Sequence, residues 1–482
     1  MRIVLGNAPW RRHERTGVRA GSRWPFTSQH ADAASKGYVP FPFFLSYAAS
    51  LAESRGFGVD LVDGIAEGLD EDAFVRRVRA NNPDLVVLET STPSIDVDLA
   101  MAERLKNEAS TTIALSGPHA SVFAQDVLRN PFVDYVLAGE YEETVSDLAS
   151  AIEAGSDLNG VRGLCFRKDG AVVANPRRDL LDLNGLPWPA RHLLPMYAYN
   201  DAFAGMPIPN VQMQASRGCP YGCIYCLWPQ VMYGGRTYRT RDPVDVVNEM
   251  EWLLKHYEFK SVYFDDDTFN IGKKRMLQLC HEVSRRKIDI PWGIMARADT
   301  SDEETLKAMK DAGLYAIKYG VESGVQSLLD ASGKSLDLEK TKHTVLLTKR
   351  LGIRVHLTFM FGLPGETHNT VDKTVQTALD LDPDSIQFSL ATPFPGTEYF
   401  ELADKRGLLL TKDWRMYDGL ASPVIRTEQM TAQELQKALE GAYERWRKRL
   451  VGRKIRSNPL GYLKRISRSP GRFLVKASGL LL

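Results

Sequence analysis

Three of the five cysteines in this 482-residue chain fall within eight positions, at Cys219, Cys223 and Cys226 in the run VQMQASRGCPYGCIYC. That CxxxCxxC spacing constrains the chain more than any other feature. Three thiolates can hold three irons of a [4Fe–4S] cluster, leaving the fourth iron open to substrate. Gly218, Pro220 and Gly222 keep the backbone in a tight loop. The alternating VQMQAS upstream reads as one strand ending at that loop. Structural zinc sites take four ligands in two pairs, and no second pair accompanies this one. The first residues, MRIVLGN, read as a strand rather than a secretory signal, so a disulfide framework does not suit the chain. Cys165 and Cys280 stand alone and read as core thiols.

A chain of this length needs two or three domains. Residues 1–150 alternate short apolar runs (MRIVLGN, FGVDLVDGI, PDLVVLET, TTIALSG, VDYVLAGE) with helical periodicity, which predicts an α/β doubly wound, Rossmann-like parallel sheet. Such sheets bind ligands outside the carboxyl ends of their strands. The candidate binding residues are therefore Thr90, Ser91 and Thr92 after one strand, Ser116, Gly117 and His119 after the next, and Gly139 and Glu140 after the last. Neither GxGxxG nor GxxxxGK[ST] follows any strand, which removes the main support for a nucleotide. The long first loop carries Arg19, Arg23 and Trp24 and leaves the binding edge, so it either reaches a ligand or simply packs.

Residues 151–205 read as a linker: a hairpin turning at Lys168-Asp169-Gly170, then a Pro- and aromatic-rich arm. From 206 to 400, six βα units predict a partial (β/α)6 barrel. In such barrels the strand C-terminal ends build the site. Asp265, Asp266 and Asp267 stand after the second strand, Arg297 and Asp299 after the third, Glu322 and Ser323 after the fourth. Gly362 and Gly365 follow the fifth, and Thr392 the sixth.

The CxxxCxxC loop with Tyr225 just before its last cysteine resembles the signature of the radical S-adenosylmethionine (radical SAM) superfamily. The resemblance implies that Cys219, Cys223 and Cys226 ligate the cluster and that SAM chelates the open iron. Reductive cleavage would then yield methionine and a 5′-deoxyadenosyl radical. It further implies that Tyr225 lies against the adenine, Glu322 and Ser323 of GVES serve SAM, and Arg297 meets its carboxylate. Gly362 and Gly365 of FGLPGE would let backbone approach the adenosine. The family's GGE motif is replaced by FDDDTF, with Asp265 or Asp266 standing in at the methionine amino group.

PDLVVLETSTPS, SGPHAS and VLAGEYEET resemble the cobalamin-binding domain that precedes many radical SAM barrels. By that likeness the hydroxyls and glycines of the three loops cradle the amide-fringed corrin. The DxHxxG motif is absent, which implies base-off cobalamin without a protein histidine on cobalt, and His119 then makes a loop hydrogen bond. Together the resemblances, spanning residues 1–400, imply a cobalamin-dependent radical SAM C-methyltransferase fed by a flavodoxin- or ferredoxin-type electron donor. The alternatives are a cyclase or oxidase with the same cofactors, as in anaerobic magnesium-protoporphyrin monomethyl ester cyclases, and a non-catalytic cobalamin or redox sensor.

The net charge of +1 conceals an asymmetry. From Arg445 onward there are twelve Lys or Arg and no Asp or Glu, which leaves 49 basic against 60 acidic residues in the rest. Residues 401–482 are expected to form a small helical appendage ending in this basic amphipathic tail. Its Leu, Ile, Phe and Trp favour a membrane surface over nucleic acid, the alternative being a disordered tail or a helix lying on the barrel's acidic surface. A lipid-like or other small-molecule substrate, a cytoplasmic location and a peripheral contact at the inner membrane surface are the corresponding expectations.

Overall fold

The structure is a computed structural model describing residues 1–12, 15–19, 21, 25–28, 38–109, 111–419 and 423–457. Arg23, Trp24 and the tail beyond residue 457 lie outside the described residues.

Two parallel sheets organise the chain, as the strand–helix alternation predicts. After β1 (Arg2–Asn7) comes a small ribbon of β2 (Arg11–Arg12), β3 (Arg15–Val18) and β4 (Phe26–Ser28). Then follow β5 (Gly58–Asp63), β6 (Leu85–Glu89), β7 (Thr112–Ser116), β8 (Tyr135–Leu137), β9 (Leu164–Lys168) and β10 (Ala171–Ala174). The first sheet has the order β10-β9-β8-β7-β6-β1-β5. Because β1 pairs in parallel with both β5 and β6, the switch point lies between β1 and β6. Every residue of β6 is buried. Helices cover both faces, so these strands are continuous apolar runs instead of alternating ones.

β9 and β10 form the predicted hairpin. Its turn residues Asp169 and Gly170 have φ of 51° and 79°, the left-handed pair that a tight twisted hairpin requires. The hairpin pairs antiparallel with β8 and extends the first sheet, so the sheet runs past the boundary expected at residue 150. An isolated hairpin is marginal in water, and docking on a sheet edge resolves that.

The second sheet comprises β11 (Asn210–Met213), β14 (Ser261–Phe264), β15 (Trp292–Ala296), β16 (Leu314–Glu322), β17 (Arg354–Phe361) and β18 (Ser385–Leu390), all parallel and in that order. Side chains of Asp242, Asp302, Asp337 and Thr367 cap four of the intervening helices by accepting first-turn N–H groups. At the β18 edge, Tyr443 of the helix Ala432–Ser457 accepts from Phe388 N at 3.0 Å and donates to Phe388 O at 2.8 Å. An exposed strand edge is thereby covered.

VQMQAS is not one strand. β11 stops at Met213, and β12 (Ser216–Gly218) turns away to pair antiparallel with β13 (Tyr238–Thr240). The cause is Asp266, buried at the end of β14. It accepts the Ala215 N–H at 2.9 Å and the Ser216 hydroxyl, pulling the chain out of the barrel direction. The cysteine loop therefore hangs from a two-stranded ribbon.

Candidate active site

Local hydrogen bonds explain how the cysteine loop is held. Gly218 has φ of 90° and its N–H is accepted by Asp267 at 2.8 Å. The Gln230 side chain folds back beneath the loop and donates to the carbonyls of Cys223 (3.2 Å), Ile224 (3.0 Å) and Cys226 (2.9 Å). Its own oxygen accepts the Glu398 N–H at 2.7 Å. Ile224 N donates to Ser332 O, and Tyr399 N donates to Ile224 O. Gly333 makes this approach feasible, since a Cβ there would sit 2.3 Å from Gly222 O.

All three cysteines are half-buried and line one cavity of about 240 Å³ at the barrel mouth. Burial pushes the Cys219 thiol up to about 11. Among the described residues, no three His, Cys, Asp or Glu converge as they would on a single metal ion. A cluster instead takes one thiolate per iron, and the three-thiol donor set with a polar wall opposite fits a site-open [4Fe–4S] cluster.

That wall is built by β15 to β18. Glu322 ends β16 at a bulge with φ of 69°, a strained conformation for a residue other than glycine. Its carboxylate meets Lys334 Nζ at 3.0 Å and the Thr358 hydroxyl at 3.3 Å. Arg297 lies over the Tyr221 ring at 3.5 Å, and Asp299 accepts from it at 3.0 and 2.8 Å. It also donates to Lys334 O at 3.0 Å. Tyr225 is buried beside the cluster loop, and burial, with Cys223 and Glu322 nearby, holds its phenol well above the ordinary value.

Several expected contacts lie elsewhere. Asp266 is spent on redirecting the chain, and the buried Asp265 accepts the Tyr263 hydroxyl at 3.1 Å. The third aspartate, Asp267, is the one that lines the cavity. The Ser323 hydroxyl is 3.2 Å from that of Thr374, packed between a strand end and the helix His368–Leu381. Gly362 and Gly365, with φ of 95° and 85°, shape a turn closed by the Tyr399 hydroxyl on Gly362 O and are not part of the cavity wall. Lys334, Thr358 and Gln230 were not expected from sequence. Thr358 lies two residues before Met360 on β17 and could have been found by strand alternation; Lys334 and Gln230 sit in turns that carry no such signal.

At the first sheet's carboxyl edge, the loops meet one another closely. The Thr90 hydroxyl donates to Ser116 O at 2.7 Å, and the hydroxyls of Ser91 and Ser94 are 2.9 Å apart. Gly117 has φ of 92°, and a Cβ there would lie 2.4 Å from Thr90 O, so the glycine serves loop-on-loop packing. Gly139 lies under Arg177 in the same way. His119 Nδ1 is 3.4 Å from the Thr92 hydroxyl, with Phe123 and Trp414 beside the ring. Burial pushes this imidazole down to about 3, so it is neutral. Arg19 fills the switch point itself, paired with buried Asp98 and donating to Asn7 (3.0 Å) and Ser94 (3.1 Å). Both oxygens of Glu140 are taken by Arg217 and Arg239, away from any ligand. The hydroxyls of these loops and the neutral imidazole are engaged with one another and with loop carbonyls, the Ser116 hydroxyl on Leu88 O at 3.3 Å included, and their uncharged surface fits an amide-fringed macrocycle.

The two edges face each other. The helical turn Trp228–Met232, directly after the cysteines, contacts the short helix Pro118–Val122 of the first domain. Trp228 packs on Phe44 with centroids 4.9 Å apart. A doubly wound domain is joined in this way to a partial barrel with a three-cysteine mouth, the architecture that the resemblances imply for a radical SAM enzyme carrying a second cofactor domain.

Comparison with known proteins agrees. The profile of the radical SAM superfamily matches residues 213–378, and that of the B12 binding domain matches residues 30–149. The chain is 31% identical over 405 residues to an uncharacterized methyltransferase of Pyrococcus horikoshii, covering 83% of this chain and 86% of that one. It is 29% identical over 429 residues to the anaerobic magnesium-protoporphyrin IX monomethyl ester cyclase of Rubrivivax gelatinosus, covering 84% and 73%. The fold matches the radical SAM methyltransferase TsrM of Kitasatospora setae, solved with cobalamin and a [4Fe–4S] cluster, with a TM-score of 0.65, 20% identity and coverage of 85% and 76%. The chain belongs to the cobalamin-binding radical SAM family. It is an enzyme whose cofactors are a [4Fe–4S] cluster, SAM and cobalamin.

Proposed function

We propose that the enzyme methylates an unactivated carbon of a small or lipid-like substrate. One observation carries this reading: the loop that carries the cysteines is continuous with the turn that packs on the cobalamin-binding domain. A substrate at the barrel mouth is then within reach of both cofactors. When bound, the cluster and SAM supply a 5′-deoxyadenosyl radical, and the cobalamin supplies the methyl group. The chain's own residues bind, orient and shield. Glu322 and Lys334 are paired at 3.0 Å on the cavity wall, and the amino-acid end of SAM would offer each a replacement partner: the N–H of its amino group for Glu322, its carboxylate for Lys334. Asp267, fixed by Gly218 N–H and by the Tyr233 hydroxyl at 3.1 Å, would give the amino group a second carboxylate. Met295, Ala296, Met360 and Trp228 form the apolar part of the wall and exclude water from a reactive carbon.

The likeness to the cyclase favours one second reading, ring closure or oxidation with the same cofactors. The discriminating experiment uses anaerobically reconstituted protein, reductant and SAM carrying a CD3 group, incubated with extracted small molecules and lipids. Methylation transfers the CD3 mass to product. Formation of 5′-deoxyadenosine with an unlabelled product overturns methylation in favour of cyclisation or oxidation. CD3 transfer without 5′-deoxyadenosine keeps methylation but overturns the radical step. A flavodoxin- or ferredoxin-type donor and a reducing cytoplasm follow from the cluster's need for a low-potential electron. Among the described residues no helix is long and apolar enough to cross a membrane. Within the basic stretch that begins at Arg445, the side chains of Arg445, Arg449 and Arg453 pair with Asp372 and Asp382 of the barrel. The stretch is proposed to rest on an anionic membrane surface, and deletion of residues 445–482 should then abolish binding to phosphatidylserine liposomes. Unchanged binding would sink that proposal.

A further inference from the structure

We infer that Arg217, with Arg239, Glu140 and Glu142, is a buried interdomain clamp that sets the position of the cluster loop relative to the cobalamin-binding domain. This rests on the cofactor reading above. Arg217 stands two residues before Cys219, on β12, and is 1% exposed. Directly opposite it in the antiparallel register, on β13, is Arg239. Like charges facing each other across a strand pair repel. A ribbon with two facing arginines is therefore unstable without counter-charge, and neither β12 nor β13 contains any.

The counter-charge comes from the other domain. Glu140 lies in the turn after β8 and Glu142 opens the helix Glu142–Ala154, and both are buried. Arg217 donates to Glu142 at 2.5 Å and to Glu140 at 3.2 Å. Arg239 forks onto Glu140 at 2.9 and 2.6 Å. Phe44 and Tyr47, on a helix of the first domain, lie under the Arg217 guanidinium at 4.6 and 4.9 Å. The barrel holds the ribbon through Asp266 and Asp267, and Arg239 also donates to Leu181 O at 2.8 Å, but the carboxylates that neutralise the two facing arginines come from the first domain.

The same turn also faces the opposite way. Between the two clamp carboxylates is Tyr141, whose hydroxyl donates to Glu89 at 2.5 Å at the end of β6. Glu89 in turn lies against Gly117, in the loop after β7. Three consecutive residues therefore grip the cluster ribbon with two carboxylates and the sheet's ligand edge with a phenol. A shift of the ribbon relative to that edge would have to break charge pairs with no water at hand. Arg217 and Glu142 are positioning residues.

The test uses the full chain reconstituted with iron, sulfide and cobalamin, then reduced so that the cluster and cob(II)alamin are both paramagnetic. Pulsed dipolar EPR reads the distance distribution between the two centres, and metal analysis reads iron and cobalt per chain. Arg217→Lys keeps the charge but loses the fork; Glu142→Gln keeps the shape but loses the charge. Both should bind iron and cobalt as the wild type does and give a distribution at least twice as broad. The control is Glu249→Gln, which breaks an equally buried carboxylate between Arg191 and Arg241 that lies wholly outside the first sheet. It should leave the distribution narrow. Distributions unchanged in both clamp variants, or broadened equally by Glu249→Gln, overturn the clamp. If Glu142→Gln loses iron but keeps cobalt while Glu249→Gln keeps both, the ribbon depends on the clamp and the inference stands; loss of both metals in all three variants counts against it. A wild type without iron or cobalt instead overturns the cofactor reading on its own terms.

Discussion

Gln230 is the residue whose removal should most directly expose how the cluster loop is held. Its amide donates to three carbonyls of the loop, at Cys223, Ile224 and Cys226, and its oxygen accepts the N–H that opens the helix Glu398–Lys405. A net hydrogen bond contributes roughly 0.5–1.5 kcal/mol, and a half-buried group left unpaired costs about 1–3 kcal/mol. With two amide hydrogens shared among three carbonyls, Gln230→Ala should cost about 2–4 kcal/mol, concentrated in the loop. Gln230→Glu is the sharper variant. It keeps the volume and the Glu398 contact, but turns a donor into an acceptor facing three carbonyl oxygens, so it should be worse than alanine. The assay is iron per chain after anaerobic reconstitution, followed by the rate of bleaching near 400 nm on exposure to a chelator. The expected order of retention is wild type, then Gln230→Ala, then Gln230→Glu, with the far-UV melting curve of the first domain little changed. If glutamate retains the cluster as well as glutamine does, the staple is not what holds the loop.

Glu322→Gln should keep the cluster but weaken SAM binding about tenfold to a hundredfold, the value of one charged hydrogen bond, as measured by equilibrium dialysis; unchanged affinity would separate Glu322 from SAM. Gly117→Ala places a side chain at φ of 92° and 2.4 Å from Thr90 O, and should cost at least about 2 kcal/mol and lower cobalt per chain while iron is kept. Equal cobalt in the variant would mean the Thr90 and Gly117 loops do not shape that site. Burial raises the carboxyls of Glu89 and Glu366 to about 7 each. The fold therefore binds protons there that the unfolded chain has lost, so stability should fall as pH rises from about 4.5 to 7 and level off above, by on the order of 3 kcal/mol for each group. Urea melts at pH 5, 6, 7 and 8 read that slope, and Glu366→Gln should flatten part of it; a midpoint that climbs across this range contradicts the assignment.

Much of this architecture was legible because its periodicities are local. The parallel strands are unbroken apolar runs, the Asp169-Gly170 turn names its own geometry, and three cysteines at fixed spacing need no partner from elsewhere. The strand-end residues Arg297 and Glu322 followed from the rule that barrels are functional at one end. What stayed hidden depends on where the regular structure stops. Asp265, Asp266 and Asp267 are equivalent in sequence, but β14 ends at Phe264 and the chain then turns, so strand alternation no longer says which carboxylate faces the cavity. The sequence also places Glu140 correctly after a strand while giving no hint that its partners, Arg217 and Arg239, come from the other domain. Contacts of that sequence separation are fixed by packing of whole domains, and no window of residues contains them.

The C-terminal region was read as an appendage, and the contacts require a different description. The turn Trp414–Met416 packs on the turn Thr92–Ser94 of the first domain, and Trp414 stands against His119 at 5.8 Å and Phe123 at 5.3 Å. The side chain of Asp418 accepts the Thr27 N–H at 2.8 Å. Further back, Gly396 has φ of 83°, and a Cβ there would lie 2.6 Å from Val122 and 2.7 Å from Val231, one on each side of the domain junction. Only a residue without a side chain lets the barrel's last loop pass between those two valines. Residues 396–418 therefore take part in the domain junction, through contacts separate from those of the Arg217 clamp. This contact combines the apolar burial of Trp414 with the Asp418 carboxylate on Thr27 and an exposed pair between Arg415 and Asp96 at 3.7 Å, whereas the Arg217 contact is made of buried ion pairs. The two contacts therefore differ in kind: buried charge pairs tie the Arg217 ribbon to the first domain, and a glycine-threaded loop with the Trp414 ring seals the C-terminal segment against His119 and Phe123.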